Sequence, residues 1–366
     1  MFSFSRILRA GRSDRILIGM MTSIANVPFF CYTDFMSSLR NYRAAAKKLR
    51  LLSYSSKTEV EPFRSRIEKK FCAPVLPNHV EVSERDFGGV TCDLLEPELY
   101  SSRRIMIYVH GGSFIGGSRF SWRQFCAAQA HADSCRIVVP EYRLAPRYAF
   151  PSALEDLQAV FKAVYTDEQV ARSLDTELTG DTEILIGADS AGASIALALV
   201  LNLRERFRKC IRQIVLFSPW LNISADSSLL AGKSMNDGVV NSDCIRRSGD
   251  LYTYETNLSN PLVSPVKCRR ENLKYFPPVY IQAGGKEAML PDAEQFRKLL
   301  LDAGVACVLD VWPDLPPLFQ MADEYFPESH LAVEKVGNLI TGRSSDRGKI
   351  VAEGCPALER SLTAEA

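Results

Sequence analysis

The sequence predicts an α/β domain built on a mostly parallel sheet with helices on both faces. Short, wholly apolar runs such as Ile105–Val109 and Ile184–Ile186 read as strands buried on both faces. They alternate with segments of helical periodicity, clearest over 151–165, where Ala153, Leu154, Leu157, Val160, Phe161 and Val164 fall on one stripe. The alternation continues to the C-terminal part of the chain, and strand–helix–strand repetition is the connectivity that a parallel sheet requires.

Taken in order, residues 1–75 carry no strand signal and read as helices. Arg6, Arg9, Arg12 and Arg15 precede an apolar run over 16–32, which Ser23, Asn26 and Pro28 interrupt. That run falls short of the ~18–20 apolar residues of a spanning helix. No small-residue cleavage site follows it. The expectation is a helix lying on the protein or on a membrane surface, with peripheral membrane contact through residues 1–35; a signal-anchor is the competing reading. Val80–Phe87 and Val90–Leu95 flank Gly88-Gly89 and predict a β-hairpin. Further strands are expected at 105–109, 137–139, 184–186, 214–217, 279–282 and 308–312, with helices at 122–132, 151–165, 191–206, 292–303 and 329–340. Residues 222–277 break the alternation. An insertion of that length carries its own helices and a task, here that of a cap over the site. The main domain is therefore set at 76–341, with residues 1–75 as a helical cap or membrane-surface segment and 342–366 as a polar, disordered tail.

Composition excludes several classes of function. The chain of 366 residues holds 44 Lys+Arg against 43 Asp+Glu, so its net charge of +1 gives no electrostatic case for nucleic acid. Ten cysteines form neither a CxxC pair nor a Cys/His cluster at zinc spacing. The reading is of reduced thiols in a cytoplasmic protein, membrane-associated if the N-terminal segment binds a surface, with no metal and no cofactor expected.

Two segments carry chemistry. Ile184–Ala193 runs from a strand into an Ala-rich helix with Ser190 at the junction, flanked by Ala188 and Gly192. A serine on a sharp strand-to-helix turn exposes its hydroxyl above the sheet edge, and the turn demands small neighbours. Tyr108–Phe114 follows the first core strand and contains His110-Gly111-Gly112. Such a turn brings bare backbone N–H groups toward an attacked carbonyl, and the assigned donors are Gly111, Gly112 and Ala191. His110 is read as supporting the loop rather than as a base.

Together these residues resemble the hormone-sensitive-lipase-like branch of the α/β-hydrolase fold. The segments Tyr142–Pro146, Phe150–Asp156 and Ser218–Leu221 resemble further motifs of that family, and the likeness spans about residues 79–341. It implies hydrolysis of short- or medium-chain acyl esters, small-molecule or lipid-like, by Ser190. It also assigns the catalytic acid to Glu287, 97 residues after Ser190, with Asp292 as runner-up. The family's histidine should follow the last strand, in Val311–Gln320, but Pro317 stands in its place. Proline has no side-chain base, and a serine hydroxyl is a poor nucleophile without one. His330, thirteen residues on, is the substitute candidate. The alternative is a catalytically impaired relative that binds a ligand or partner with the same pocket. His79 and His131 lie far from the motifs and read as surface or core residues.

Overall fold

The computed structural model describes residues 40–72, 76, 79–101, 103–174, 182–232 and 237–343. The expected surface helix or anchor over 16–32 and the expected tail from 344 lie outside the described residues. Residues 1–44 form a separate unit, of which the helical stretch 40–44 is described. No helix among the described residues is long and apolar enough to cross a membrane.

Residues 45–366 form the second unit, built on an eight-stranded sheet in the order β1-β2-β4-β3-β5-β6-β7-β8. The strands are β1 (Val80–Phe87), β2 (Val90–Pro97), β3 (Arg104–Val109), β4 (Arg136–Pro140), β5 (Glu183–Asp189), β6 (Ile211–Phe217), β7 (Val279–Gly284) and β8 (Cys307–Trp312). β1 and β2 form the expected hairpin, with Phe87 opposite Val90. Gly88 and Gly89 both take positive φ, 69° and 87°. A two-residue hairpin turn of that kind matches the right-handed twist of the flanking strands. β2 pairs antiparallel with β4, and every pairing from β4 to β8 is parallel.

The helices are α1 (Val60–Phe71), α2 (Arg119–Asp133), α3 (Ser152–Leu174), α4 (Ser190–Asn202), α5 (Glu205–Arg208), α6 (Ser242–Tyr252), α7 (Leu290–Asp302) and α8 (Glu328–Thr341). α4 is buried over Ser190–Val200, so it forms part of the core beside β5 rather than an amphipathic cover. Two helices depart from the sequence expectation. α3 runs nine residues past 165 because its last turns face solvent, with Leu174 80% exposed, and so carry no apolar stripe to read; the Arg136–Glu168 ion pair at 3.0 Å fastens them to β4. α4 ends at Asn202 rather than 206. Arg208 turns back onto the helix end, giving hydrogen bonds to the carbonyls of Leu201 and, at 3.0 Å, Leu203. Those orphan carbonyls are thereby satisfied without further helix.

Parallel pairing places the carboxyl ends of β3, β5, β6, β7 and β8 side by side along one edge. In open α/β sheets that edge is where ligands bind. The segments outside the alternation gather there. Tyr54 N–H donates to Ser113 Oγ (3.0 Å), and Tyr252 of α6 stacks on Phe114 at 4.0 Å and 10°. The two segments also meet each other, through Arg50 Nε to Gly238 O at 2.6 Å and Ser56 N to Asp243 Oδ2 at 2.9 Å.

Candidate active site

Ser190 follows the last residue of β5 and begins α4 with φ 46°, a backbone conformation that L-residues rarely adopt. Its backbone is fixed by Trp220, whose N–H donates to Ser190 O at 2.9 Å, and Ser194 Oγ donates to Trp220 O. The segment from Ser218 to Trp220 therefore braces the turn. Gly192 is dictated by sterics: a Cβ there would sit 2.3 Å from His110 O and Val109 O. Only glycine lets α4 approach β3 so closely. The Ser190 side chain is buried to 7% exposure, and among the described residues its hydroxyl has no hydrogen-bond partner.

Asp189 locks the elbow to the glycine turn from below. Its Oδ1 accepts from Trp122 Nε1 (2.7 Å), Gly111 N (2.9 Å) and Tyr108 OH (3.0 Å). Burial raises its pKa to about 7, against the pull of those donors. This corrects one sequence assignment. The Gly111 N–H points inward to Asp189 and is spent on the scaffold, so it does not face an incoming carbonyl. Gly112 takes φ 108°, and Ala191 lies in the first turn of α4, where N–H groups lack intrahelical acceptors.

His110 is buried and belongs to the loop, as the sequence reading expects. Its Nδ1–H donates to Gly111 O at 2.8 Å, and its ring stacks on Tyr142 at 4.4 Å. Burial lowers its pKa to about 4, which keeps the ring neutral. Tyr142 OH donates in turn to His110 O at 2.6 Å, and Arg143 is held by Asp156 and Glu155. The Tyr142–Pro146 and Phe150–Asp156 segments thus support the glycine turn.

On the far side, Glu287 lies just beyond the carboxyl end of β7. Its Oε1 accepts from Gly284 N (2.6 Å) and from Ser218 Oγ. Burial pushes its pKa up to about 8, with Asp237 adding to the rise and the two donors opposing it. Ser218 Oγ also accepts from Leu318 N at 2.8 Å. The serine hydroxyl thus links the acid to the residue that follows Pro317. This role of Ser218 was missed in the sequence, where the only signal was a hydroxyl residue directly after β6. The runner-up, Asp292, accepts from Ser228 N (3.1 Å) and Ser228 Oγ (2.9 Å), which fastens the 222–277 insertion to α7.

His330 does not join this group. It lies exposed on α8 and lines a cavity with His79, His131 and residues of α2, in a wall that includes neither Ser190 nor Glu287. The position expected for a base after β8 holds buried Pro317. Ser190 and Ala191 open α4, and the glycine turn is tied to that elbow through Gly111 and Asp189; Glu287 is held by Ser218 and Gly284; His330 lines a separate cavity.

A serine at a strand-to-helix elbow, beside a glycine turn at the carboxyl edge of a parallel sheet, defines the class of the α/β hydrolases. A family model described as alpha/beta hydrolase fold matches residues 106–321. The chain belongs to that family, in its hormone-sensitive-lipase-like branch. It is similar to an acetyl-hydrolase of Streptomyces hygroscopicus, 26% identical over 68% of this chain and 79% of that protein. It is also similar to an esterase of Acinetobacter venetianus, 26% identical over 67% and 77%. Among solved structures, an esterase of the bacterial hormone-sensitive lipase family superposes with a TM-score of 0.70 at 25% identity, covering 82% of this chain and 97% of that one.

Proposed function

We propose that this chain is a carboxylic-ester hydrolase for short- or medium-chain acyl esters, with Ser190 as the nucleophile and Gly112 and Ala191 as oxyanion donors. The reading is carried by one observation: Ser190 stands at φ 46° where β5 passes into α4, and Asp189 clamps that turn to the glycine loop. In the reaction the Ser190 oxygen forms a bond to the acyl carbon and the carbonyl oxygen gains negative charge. Backbone N–H groups already aimed at that oxygen stabilise it without reorganisation. Solvent water takes the Ser190 proton; collapse breaks the bond from the acyl carbon to the alcohol oxygen, which leaves as the alcohol on taking a proton back from water, and a second water then cleaves the acyl-enzyme to the acid and the restored Ser190 hydroxyl. Residues 45–71 and 222–277 serve as the cap that shapes the acyl site, a reading supported by Tyr54 and Tyr252 packing on the oxyanion loop.

The proton of Ser190 has no imidazole to receive it. His110 is neutral and turned into the loop, and His330 lines another cavity. The enzyme is therefore slow: the oxyanion hole and substrate binding alone supply about 10³–10⁴-fold over water. Glu287, held by Ser218 and Gly284, is the acid of a triad that lacks its middle member. Small-molecule or lipid-like esters are the substrates that this chemistry accepts.

The test compares hydrolysis of p-nitrophenyl butyrate by the wild type and Ser190→Ala. A low rate that disappears in the variant, with an acylated Ser190 peptide detectable by mass spectrometry, is the expected result. Equal rates in the two proteins reject the reading.

A further inference from the structure

Consecutive residues of the glycine turn take left-handed backbone: Gly112 at φ 108°, Ser113 at φ 61° and Phe114 at φ 65°. Glycine meets no steric cost there, but serine and phenylalanine do, so neighbouring contacts must hold them. Gly112 is held within the turn, where its carbonyl accepts from Ile115 N (3.1 Å) and Gly116 N (2.9 Å). Phe114 is held by Tyr252, which stacks on its ring, and by Ala145, whose N–H donates to the Phe114 carbonyl at 3.1 Å. Ser113 lies between them and is held through its hydroxyl.

That hydroxyl is used twice. It accepts from Tyr54 N at 3.0 Å and donates to Leu52 O at 3.3 Å. Both partners lie at the end of the 3₁₀ turn Arg50–Leu52, where backbone groups run out of partners within the turn. Ser113 is 0% exposed, with Leu52 and Tyr54 also buried, so water is not at hand to replace either bond. The same N-terminal segment grips the loop further on. Arg64 Nε donates to Ile115 O at 2.8 Å, and a Cβ on Gly116 would lie 2.7 Å from the Phe63 ring. The gripped turn adjoins the nucleophile, since a Cβ on Gly111 would lie 3.0 Å from Ser190 Cβ.

We propose that Ser113 is a positioning residue for ester hydrolysis: through its hydroxyl, the backbone of residues 52–54 holds the left-handed run and so sets where the Gly112 N–H points. The inference rests on the reading of Ser190 as nucleophile and Gly112 as oxyanion donor. A donor stabilises the oxyanion only when it is already in place as charge develops. Ser113 touches no substrate; it acts through its neighbour. Loosening the strap therefore lowers kcat and leaves KM, because the contact that is lost belongs to the transition state and not to the bound ester.

The experiment is steady-state hydrolysis of p-nitrophenyl butyrate by the full chain, with circular dichroism to show that each variant is folded at the assay temperature. Ser113→Ala should lower kcat about 10–10²-fold, the scale of a misplaced or missing oxyanion donor, with KM within about twofold. Ser113→Gly suits φ 61° and removes the backbone strain, yet it also lacks the hydroxyl, so it should show the same fall. Phosphonylation of Ser190 by a fluorophosphonate, which also places an oxygen in the hole, should slow in both variants. A kcat retained by either variant, or a loss confined to KM, overturns the inference while Ser190-dependent turnover stands. Wild-type turnover that survives Ser190→Ala overturns the reading beneath it, and this inference with it.

Discussion

The two halves of the candidate site differ in completeness. On the β3–β5 side, every group has a structural guarantor: Gly192 admits α4 against β3, Asp189 gathers Trp122, Tyr108 and Gly111, and Tyr142 holds His110. On the β7–β8 side, Glu287 is equally well held, by Gly284 and Ser218, and the chain after β8 carries buried Pro317, which has no side-chain base. On the proposed reading, nucleophile presentation and proton transfer are built by separate packing arrangements, so that one can be lost while the other is maintained. Backbone donors and a strained elbow are enforced by core packing, whereas the base is a single side chain on a loop.

The comparison is broken most severely at Gly192. Gly192→Val drives side-chain atoms into the carbonyls of Val109 and His110, so it should cost about 4 kcal/mol or more, or prevent folding. Urea unfolding measures this, and a stable variant would show that the close approach of α4 and β3 is not essential. Next comes Ser218→Ala, which removes one donor from Glu287 and the side-chain acceptor of Leu318 N. A loss of about 1–3 kcal/mol is expected, the range for leaving buried partners unmet, and a change within error would mean that the link is ornamental.

A subtler difference is visible in pH dependence. Burial raises Asp189 to about 7 and Glu287 to about 8, both above their unfolded values. The folded state therefore binds more protons, so this contribution to stability is complete in acid and is lost as pH rises through those values. Asp189→Asn removes one titrating carboxyl. The stability of the variant relative to wild type should improve between about pH 5 and about pH 8, as read from thermal midpoints. A constant difference over that range would mean that Asp189 is ionised in the fold. The smallest effect is expected for His330→Ala, which should leave ester turnover unchanged because the ring lines a cavity apart from Ser190. A large loss would return His330 to the role of base.

Much of this was legible in the sequence. The strand–helix order, the hairpin around Gly88-Gly89, the elbow at Ser190 and the proline at the base position are local or ordered signals. They survive because each is enforced over a few residues. What the sequence did not disclose depends on distant partners. The Gly111 N–H is consumed by a carboxylate 78 residues away. Ser218 serves Glu287 only because β6 and β7 are neighbours. The solvent-facing end of α3 has no apolar period to detect. His79, His131 and His330 share a cavity through tertiary packing alone.

The most direct measurement restores the missing part. Pro317→His should raise turnover of p-nitrophenyl butyrate by about 10²-fold or more, the scale of a positioned general base. The gain should vanish when Ser190→Ala is added. A rise that survives Ser190→Ala, or no rise in a variant that folds normally, would contradict the view that Ser190 is presented for attack and lacks only a proton acceptor.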